Sequence, residues 1–555
     1  MEKGEKMKKP KIWKKRCESV NTITDSHLER LGIKDKNTLL LWIKMGRDDE
    51  YLLPGTEAFT RILYKHKNRP IRIWGDYDAD GILATFILEQ TLAWLGFTDV
   101  GRRIPKRCSE GYGMNMAMVD ELPEEHCLII TVDNGIAAPE VVAYAKAKGH
   151  TVIVTDHHEP VKTEDSVIIP KADLVIDPKA YPGLMQFDGY CGAGIAYKLA
   201  RHLLKNIKGR HLSLLPLAAL ATVCDQMPLR EENYYFLKTG LQVMNRYGQT
   251  DLIPKGLRAM GDVMGITVWD EGKFGFQTGP MINSAERMND GGADSVVALL
   301  ENDDLYQCRV QAEELKKTNQ ARKEAVASAV EGLSEETEKR ADGSVVFPLV
   351  KYLPGCSEGI IGIIAGKMQE KLGVPVGVFT DAEETGLYKG SFRSTDGFDI
   401  MDLLNKHRSM FEACGGHAAA AGVSVRQDRF DSMVEKLHDS ASGTRLAEKE
   451  NLYDAEINNR DIESAIAENE FFAPFGQGNE DPVVKVVGFC VESKRSLKSN
   501  GIKLHSQYSD AIGFNLPFDI SEIPEGAVIT IYGHISMNVF NGKSTPQIMI
   551  IDIEM

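Results

Sequence analysis

At 555 residues the chain exceeds what one hydrophobic core supports, and at about 100–200 residues per domain it divides into three or four modules. Hydrophobic content of 43% and charged content of 26% are those of a globular protein in water, and no apolar run reaches the ~18–20 residues of a membrane helix. A net charge of −15 speaks against binding nucleic acid over the whole surface, yet it leaves room for one basic groove beside an acidic metal site.

The chain opens with Met1–Arg16, which holds eight Lys/Arg and two Glu. It lacks the apolar core and small-residue cleavage site of a signal peptide. It reads as a solvated basic tail, the sharper alternative being an arm that contacts phosphates. Nine cysteines are scattered with no Cys-x-x-Cys pair, which argues against a zinc ribbon or a disulfide framework and fits a reducing cytoplasm.

Short apolar runs at Ile71–Trp74, Leu128–Val132, Thr151–Val154 and Leu174–Ile176 read as buried parallel strands. Helical patterns at Ile82–Leu95 and Ala138–Ala147 alternate with them, which predicts an α/β domain with a parallel sheet. Each strand ends in a polar turn: Asp76-Tyr-Asp-Ala-Asp-Gly81, Asp133-Asn-Gly135, Asp156-His-His158 and Asp177-Pro178. Open α/β sheets bind ligands beyond the carboxyl ends of their strands, so these turns converge on one edge. A mostly helical stretch follows over Gly194–Gly240, and a long polar connector helix over Asp303–Ser334 carries Leu315, Asn319 and Arg322. A second α/β module spans Val345–Leu437, a polar linker Asp439–Glu450, and β-like runs at Val483–Val487 and Val528–Tyr532 predict a small barrel. The expected division is a basic tail and lead-in (1–40), a catalytic domain (41–240), a helical region with the connector (241–335), a substrate-binding module (336–440) and a nucleic-acid-binding barrel (450–555).

Alternate carboxylates Asp76, Asp78 and Asp80 in one turn suit a hard divalent cation, although a lone turn of this kind is as often a solvated helix cap. Asp133-Asn-Gly135 alone needs no metal. His157 and His158 beside Asp156 offer imidazoles, which favour Mn, Fe or Zn over Mg. Asp225, after the apolar run Leu217–Cys224, is either a helix end or a ligand reaching in from the side. So many carboxylates in one cavity require cations, and two metals roughly 3.5–4 Å apart would neutralise them and support in-line displacement at phosphorus. No Walker-type loop is present, which excludes P-loop nucleotide chemistry.

In this order the motifs resemble the DHH phosphoesterase superfamily and, within it, the RecJ exonucleases. The resemblance rests on GDYDADG at 75–81, IPKRCSEGYGMN at 104–115, VDNG at 132–135, DHH at 156–158, CGAGIAYKLA at 191–200, ATVCDQMPL at 221–229 and GPMINSAER at 279–287. GSFRS at 390–394 and GGHAAAAG at 415–422 look like the DHHA1 module, and APFGQGNEDPVV at 473–484 with NVFNGK at 538–543 like the OB-type barrel that follows it. The resemblance implies Asp76, Asp78, Asp133, His157 and Asp225 as ligands of two Mn²⁺ or Mg²⁺ ions, with Asp80 and His158 organising the site or touching the scissile phosphate. It implies Arg107, Arg287, Ser391, Arg393 and His417 as phosphate holders, with Gly415 and Gly416 admitting the strand to close backbone approach. The implied activity is 5′→3′ digestion of single-stranded DNA to mononucleotides in repair and recombination, with a helicase and single-strand-binding protein as partners. Two other readings stand: a phosphodiesterase of short oligonucleotides or cyclic dinucleotides, and a non-catalytic DNA-binding scaffold. One departure is visible, since RecJ proteins usually carry Trp-His where this chain has Cys356-Ser357 before Glu358-Gly359.

Overall fold

The computed structural model describes residues 12–45, 53–123, 126–162, 166–185, 187–207, 209–335, 346–382, 386–447, 450–498, 500–516, 522–540 and 542–555. The chain forms two compact units: one from Leu52–Asp225 with Thr239–Glu448, the other from Met1–Tyr51, Gln226–Lys238 and Lys449–Met555.

The first unit contains two sheets. The four predicted parallel strands form and an unpredicted one, β2, joins them: β1 (Ile71–Trp74), β2 (Val100–Arg103), β3 (Leu128–Val132), β4 (Thr151–Thr155) and β5 (Leu174–Ile176) lie in the order β2-β1-β3-β4-β5. Every neighbouring pair is parallel, and β3 is buried along its whole length. That is why the four predicted segments read as continuous apolar runs rather than alternating ones, whereas β2, with the sequence VGRR and no buried residue, does not. The helix after β1, α1 (Ala79–Trp94), begins earlier than the apolar pattern indicates. The reason is local: Asp78 caps it, its side chain accepting from the Asp80 and Gly81 amides at 2.9 and 3.2 Å. Three more helices flank the site, α2 (Pro139–Ala147), α3 (Gly192–Leu203) and α4 (Leu215–Cys224), and α5 (Gly279–Met288) follows a single π turn at Phe274–Thr278.

The connector is α6 (Leu305–Glu335), 31 residues long. Its Val326 and Leu333 pack into the core of the second module with Ile360, Ile361, Ile364 and Val376. That module has β6 (Leu349–Tyr352), α7 (Glu358–Leu372), β7 (Val376–Asp381), β8 (Leu387–Arg393), β9 (Ala413–His417) and β10 (Ala420–Arg426), in sheet order β9-β10-β8-β7-β6. A helix Phe430–Ala441 continues into the segment read as linker, because Met433, Leu437 and Ala441 bury at helical spacing.

The second unit is built on a seven-stranded sheet, β11 (Ala455–Asn458), β12 (Val484–Cys490), β13 (Ser493–Leu497), β14 (Gly501–His505), β15 (Asp510–Phe514), β16 (Val528–Phe540) and β17 (Lys543–Glu554), ordered β11-β12-β16-β17-β15-β14-β13. Its core includes Val484, Phe489, Leu504, Ile531 and Ile548. Residues 1–11 of the predicted basic tail lie outside the described residues. The remainder is not a free tail: Trp13–Lys15 pairs in parallel with Asn451–Tyr453, Trp13 stacks on Tyr532, and Arg16 meets Asp454 at 2.7 Å. An indole and a buried carboxylate partner hold this stretch to the sheet.

Candidate metal centre

The parallel sheet sets the site. β1, β3 and β4 end side by side, so the turns after them deliver Asp76, Asp133 and His157 to one edge. Asp133 is held at φ 63, a left-handed conformation uncommon outside glycine, which turns its carboxylate inward. Asn134 ties the neighbouring strand ends together, its amide donating to the carbonyls of Trp74 and Val132, both at 2.9 Å. A side chain at Gly192 would place its Cβ 2.5 Å from Asp133 Cβ, so α3 can approach the turn only without one.

Three overlapping triplets of ligand atoms result, each with its members within 4.8 Å: Asp76, Asp78 and Asp133; Asp133, His157 and His158; Asp80, His157 and Asp225. His157 Nε2 stands 3.0 Å from Asp133 Oδ1 and 3.6 Å from both Asp80 Oδ2 and Asp225 Oδ2. Burial holds His157 down to about 4, so its imidazole is neutral and able to ligate. Burial first, then the Asp78 charge, raises Asp76; burial and Asp80 raise Asp78 and Asp133. Asp225, the C-cap of α4, is pushed to about 8 by burial and then by Asp80. Asp76 Oδ1 and Asp133 Oδ1 are buried without a hydrogen-bond partner. Carboxylates crowded together, desolvated and unsatisfied fit divalent cations, whose charge would bring the raised carboxylates back down and keep His157 neutral.

The remaining members have distinct posts. Asp80 is committed to α3, accepting from the Gly192 and Ala193 amides at 2.6 and 2.8 Å. Asp156 belongs to none of the triplets and accepts from the Ile136, His157 and His158 amides and from His158 Nδ1 at 2.8 Å. Burial opposes the charged form of His158, yet that Asp156 bond carries it up to about 9, so it stands as a cation beside the carboxylates. Tyr112, which sequence reasoning passed over, donates to the Asp133 carbonyl at 3.0 Å and lies 3.1 Å from His158 Nδ1.

The arginines gather next to this cluster. Arg107 lies over the Tyr77 ring at 4.9 Å. Arg287 is lowered to about 10 by burial and then by the Arg107 charge, and Arg393 is lowered by the same two causes. The three guanidinium groups therefore lie close enough to feel one another's charge, and Asp78 is the carboxylate whose charge reaches Arg287. Arg393 also donates to Ser391 Oγ at 2.9 Å, so the pair acts as one unit. His417 is exposed on β9, near enough to Glu159 that its charge adds to the Lys162 pair in lowering that carboxylate. Gly415 has open space around it, whereas a Cβ on Gly416 would meet the Ala420 carbonyl at 2.3 Å: the hairpin itself demands that glycine.

Two further residues went unread in GPMINSAER. Asn283 Oδ1 accepts from the Ala79 amide at 2.8 Å, and the buried Glu286 carboxylate accepts from the amides of Arg107, Gly291 and Ala293 at 2.8, 3.0 and 2.9 Å. With Arg287 they occupy i, i+3 and i+4 of one helix, a spacing that marks a single face.

Comparison with known proteins agrees with this construction. Residues 70–222 match the DHH family N-terminal domain, residues 346–443 the DHHA1 domain and residues 453–552 the RecJ OB domain. The single-stranded-DNA-specific exonuclease RecJ of Bacillus subtilis is 33% identical over 87% of this chain, which spans 61% of that protein's length. Its counterpart in Dickeya dadantii is 31% identical, with 87% of each chain covered. The crystal structure of RecJ from Thermus thermophilus in complex with Mn²⁺ superposes with a TM-score of 0.79 at 26% identity, covering 96% of this chain and 76% of that one. The ordered motifs, the fold and these likenesses together place the chain in the RecJ family of DHH phosphoesterases.

Proposed function

We propose that the chain is a 5′→3′ exonuclease specific for single-stranded DNA, releasing mononucleotides with two divalent ions, Mn²⁺ or Mg²⁺. The observation that carries this reading is the buried cluster of Asp76, Asp78, Asp133, His157 and Asp225, whose charges are tolerable only around cations. Bound there, the ions would supply an activated water and stabilise charge on the phosphoryl oxygens. The chain's own residues do the rest. Asp133, which belongs to two of the triplets, and Asp225 fix where charge accumulates. Arg107, Arg287 and the Ser391–Arg393 pair hold phosphates of the strand, their planar forks suited to paired oxygens. His158, held by Asp156 at 2.8 Å, stands ready to bond a phosphoryl oxygen or, when protonated, to give a proton to the departing 3′ oxygen as the P–O bond breaks.

The second unit offers a strand-binding surface of its own. Lys494, Arg495, Lys503, His505 and Lys543 surround a cavity of about 380 Å³ on β13, β14 and β17, with Asp510 as its carboxylate. A basic concavity on such a sheet suits the backbone of a single strand. The setting we infer is the cytoplasm, with a helicase and single-strand-binding protein supplying the substrate. No described helix is long and apolar enough to cross a membrane.

The test is digestion of single-stranded DNA labelled at its 3′ end, with and without Mn²⁺, beside an Asp133→Ala control. A ladder that shortens from the 5′ end only with metal, and is lost in the variant, supports the reading. Cleavage of di- to pentanucleotides or cyclic dinucleotides alone would replace it, and binding without cleavage would leave a scaffold.

A further inference from the structure

The departure at Cys356-Ser357 places a hydroxyl where it meets an arginine of the other module. Ser357 Oγ donates to the Arg287 carbonyl at 3.0 Å, and Arg287 Nη1 donates back to the Gly359 carbonyl at 2.9 Å. The same Ser357 oxygen accepts from the Gly359 amide at 3.2 Å, capping α7. The approach is backbone to backbone: a Cβ on Gly359 would lie 2.4 Å from the Arg287 carbonyl oxygen and 2.8 Å from its Cα.

Arg287 is thus clasped at both ends, its main chain by Ser357 and its guanidinium by Gly359. Among the described residues no carboxylate forms an ion pair with it, and only one of its N–H groups is spent on the clasp. The others remain for an anion, between the acidic turn and Arg107. A guanidinium held by a fixed neighbour loses less freedom on binding phosphate than one free to swing.

We propose that Ser357 is a positioning residue for substrate phosphate: by donating to the Arg287 carbonyl and accepting from the Gly359 amide it holds Gly359, whose carbonyl accepts from the Arg287 guanidinium, and so fixes that guanidinium at the junction of α5 and the second module. The inference rests on the reading above that Arg287 holds a phosphate of the strand. Because that contact is made in the ground state as well as during reaction, its loss belongs in KM rather than kcat. Threonine keeps the hydroxyl; alanine removes it.

The experiment uses the full chain with Mn²⁺ and a 5′-phosphorylated single-stranded oligonucleotide carrying a 3′ fluorophore. Wild type, Ser357→Ala, Ser357→Thr, Arg287→Ala and the double Ser357→Ala/Arg287→Ala variant are compared by steady-state kinetics and by equilibrium binding, with the melting temperature of each recorded. Ser357→Ala is expected to raise KM and Kd roughly threefold to tenfold with kcat within about twofold, the range of one lost hydrogen bond. Ser357→Thr restores both, and in the Arg287→Ala background removing the hydroxyl adds nothing, as residues acting as one unit require. Wild-type KM and Kd in Ser357→Ala, an equal increment in the Arg287→Ala background, or a fall in kcat alone would each overturn the proposal. A wild type that binds the strand without shortening it removes the exonuclease reading while the binding comparison still decides the role of Ser357. A wild type that neither binds nor cuts overturns both.

Discussion

Asp133 concentrates the chemistry and the tension of this site. Its φ of 63 carries a backbone penalty of order 1–3 kcal/mol, and burial beside Asp78 and Asp80 raises its pKa well above the ordinary carboxylate range. A group whose folded pKa is raised weakens the fold once pH exceeds its unfolded value, because only the native state must then hold an unwelcome charge or an extra proton. Metal removes that burden, and so does an amide of the same shape. Asp133→Asn is therefore expected to lower exonuclease activity by about 100-fold or more, since even outer-shell partners of metals are worth about 10–100-fold. In EDTA the same variant should melt above the wild type, and with saturating Mn²⁺ the order should reverse. Scanning calorimetry in both conditions checks this; a variant less stable than wild type in EDTA would show that the carboxylate is not under repulsion. His27 obeys the opposite sign in the other unit. It is buried, stacked on Phe472 at 4.2 Å and bonded to Asn469 Oδ1 at 2.8 Å, and burial lowers its pKa below the ordinary 6.5. Below pH 6.5 the unfolded chain binds a proton that the folded one refuses, so stability falls with pH there. A His27→Gln variant should flatten that acid-side decline in melting temperature, and an unchanged slope would count against it.

Among the elements, α5 binds the parts together. Its Asn283, Glu286 and Arg287 reach the acidic turn, the Arg107 loop and α7 respectively. Glu286 is the informative member, because a buried carboxylate that accepts only from amides has no isosteric replacement. In Glu286→Gln an amide N–H would face backbone N–H donors, leaving buried groups unsatisfied at about 1–3 kcal/mol. The expected result is a lower melting temperature together with a reduced kcat/KM, because the Arg107 loop loses its anchor. Stability lost with kcat/KM intact would confine Glu286 to capping the helix that begins at Ala293.

For the whole molecule, the sequence showed most of what is set within a few residues. Apolar runs of strand length, acidic or His-rich turns after them, and a long polar helix follow from local burial and turn chemistry, and the strands and the helix formed where these features lie. The shift of the α1 start to Ala79 was also local, and a cap at Asp78 was there to be found. The final residues of the basic stretch were misleading, because Trp13 and Arg16 find partners more than 400 positions away, beyond any window of composition. That the turns share one edge already followed from the strand–helix alternation. What only tertiary structure decided is which groups meet across the chain: α5 reaches from the acidic turn to α7, and Arg107 comes near enough to Arg287 and Arg393 to lower both. Local sequence determines which side chains can carry metal or phosphate chemistry, since that is a property of residue type and turn. Which of them share a charge field is determined by packing, because burial and distance exist only once the chain has closed on itself.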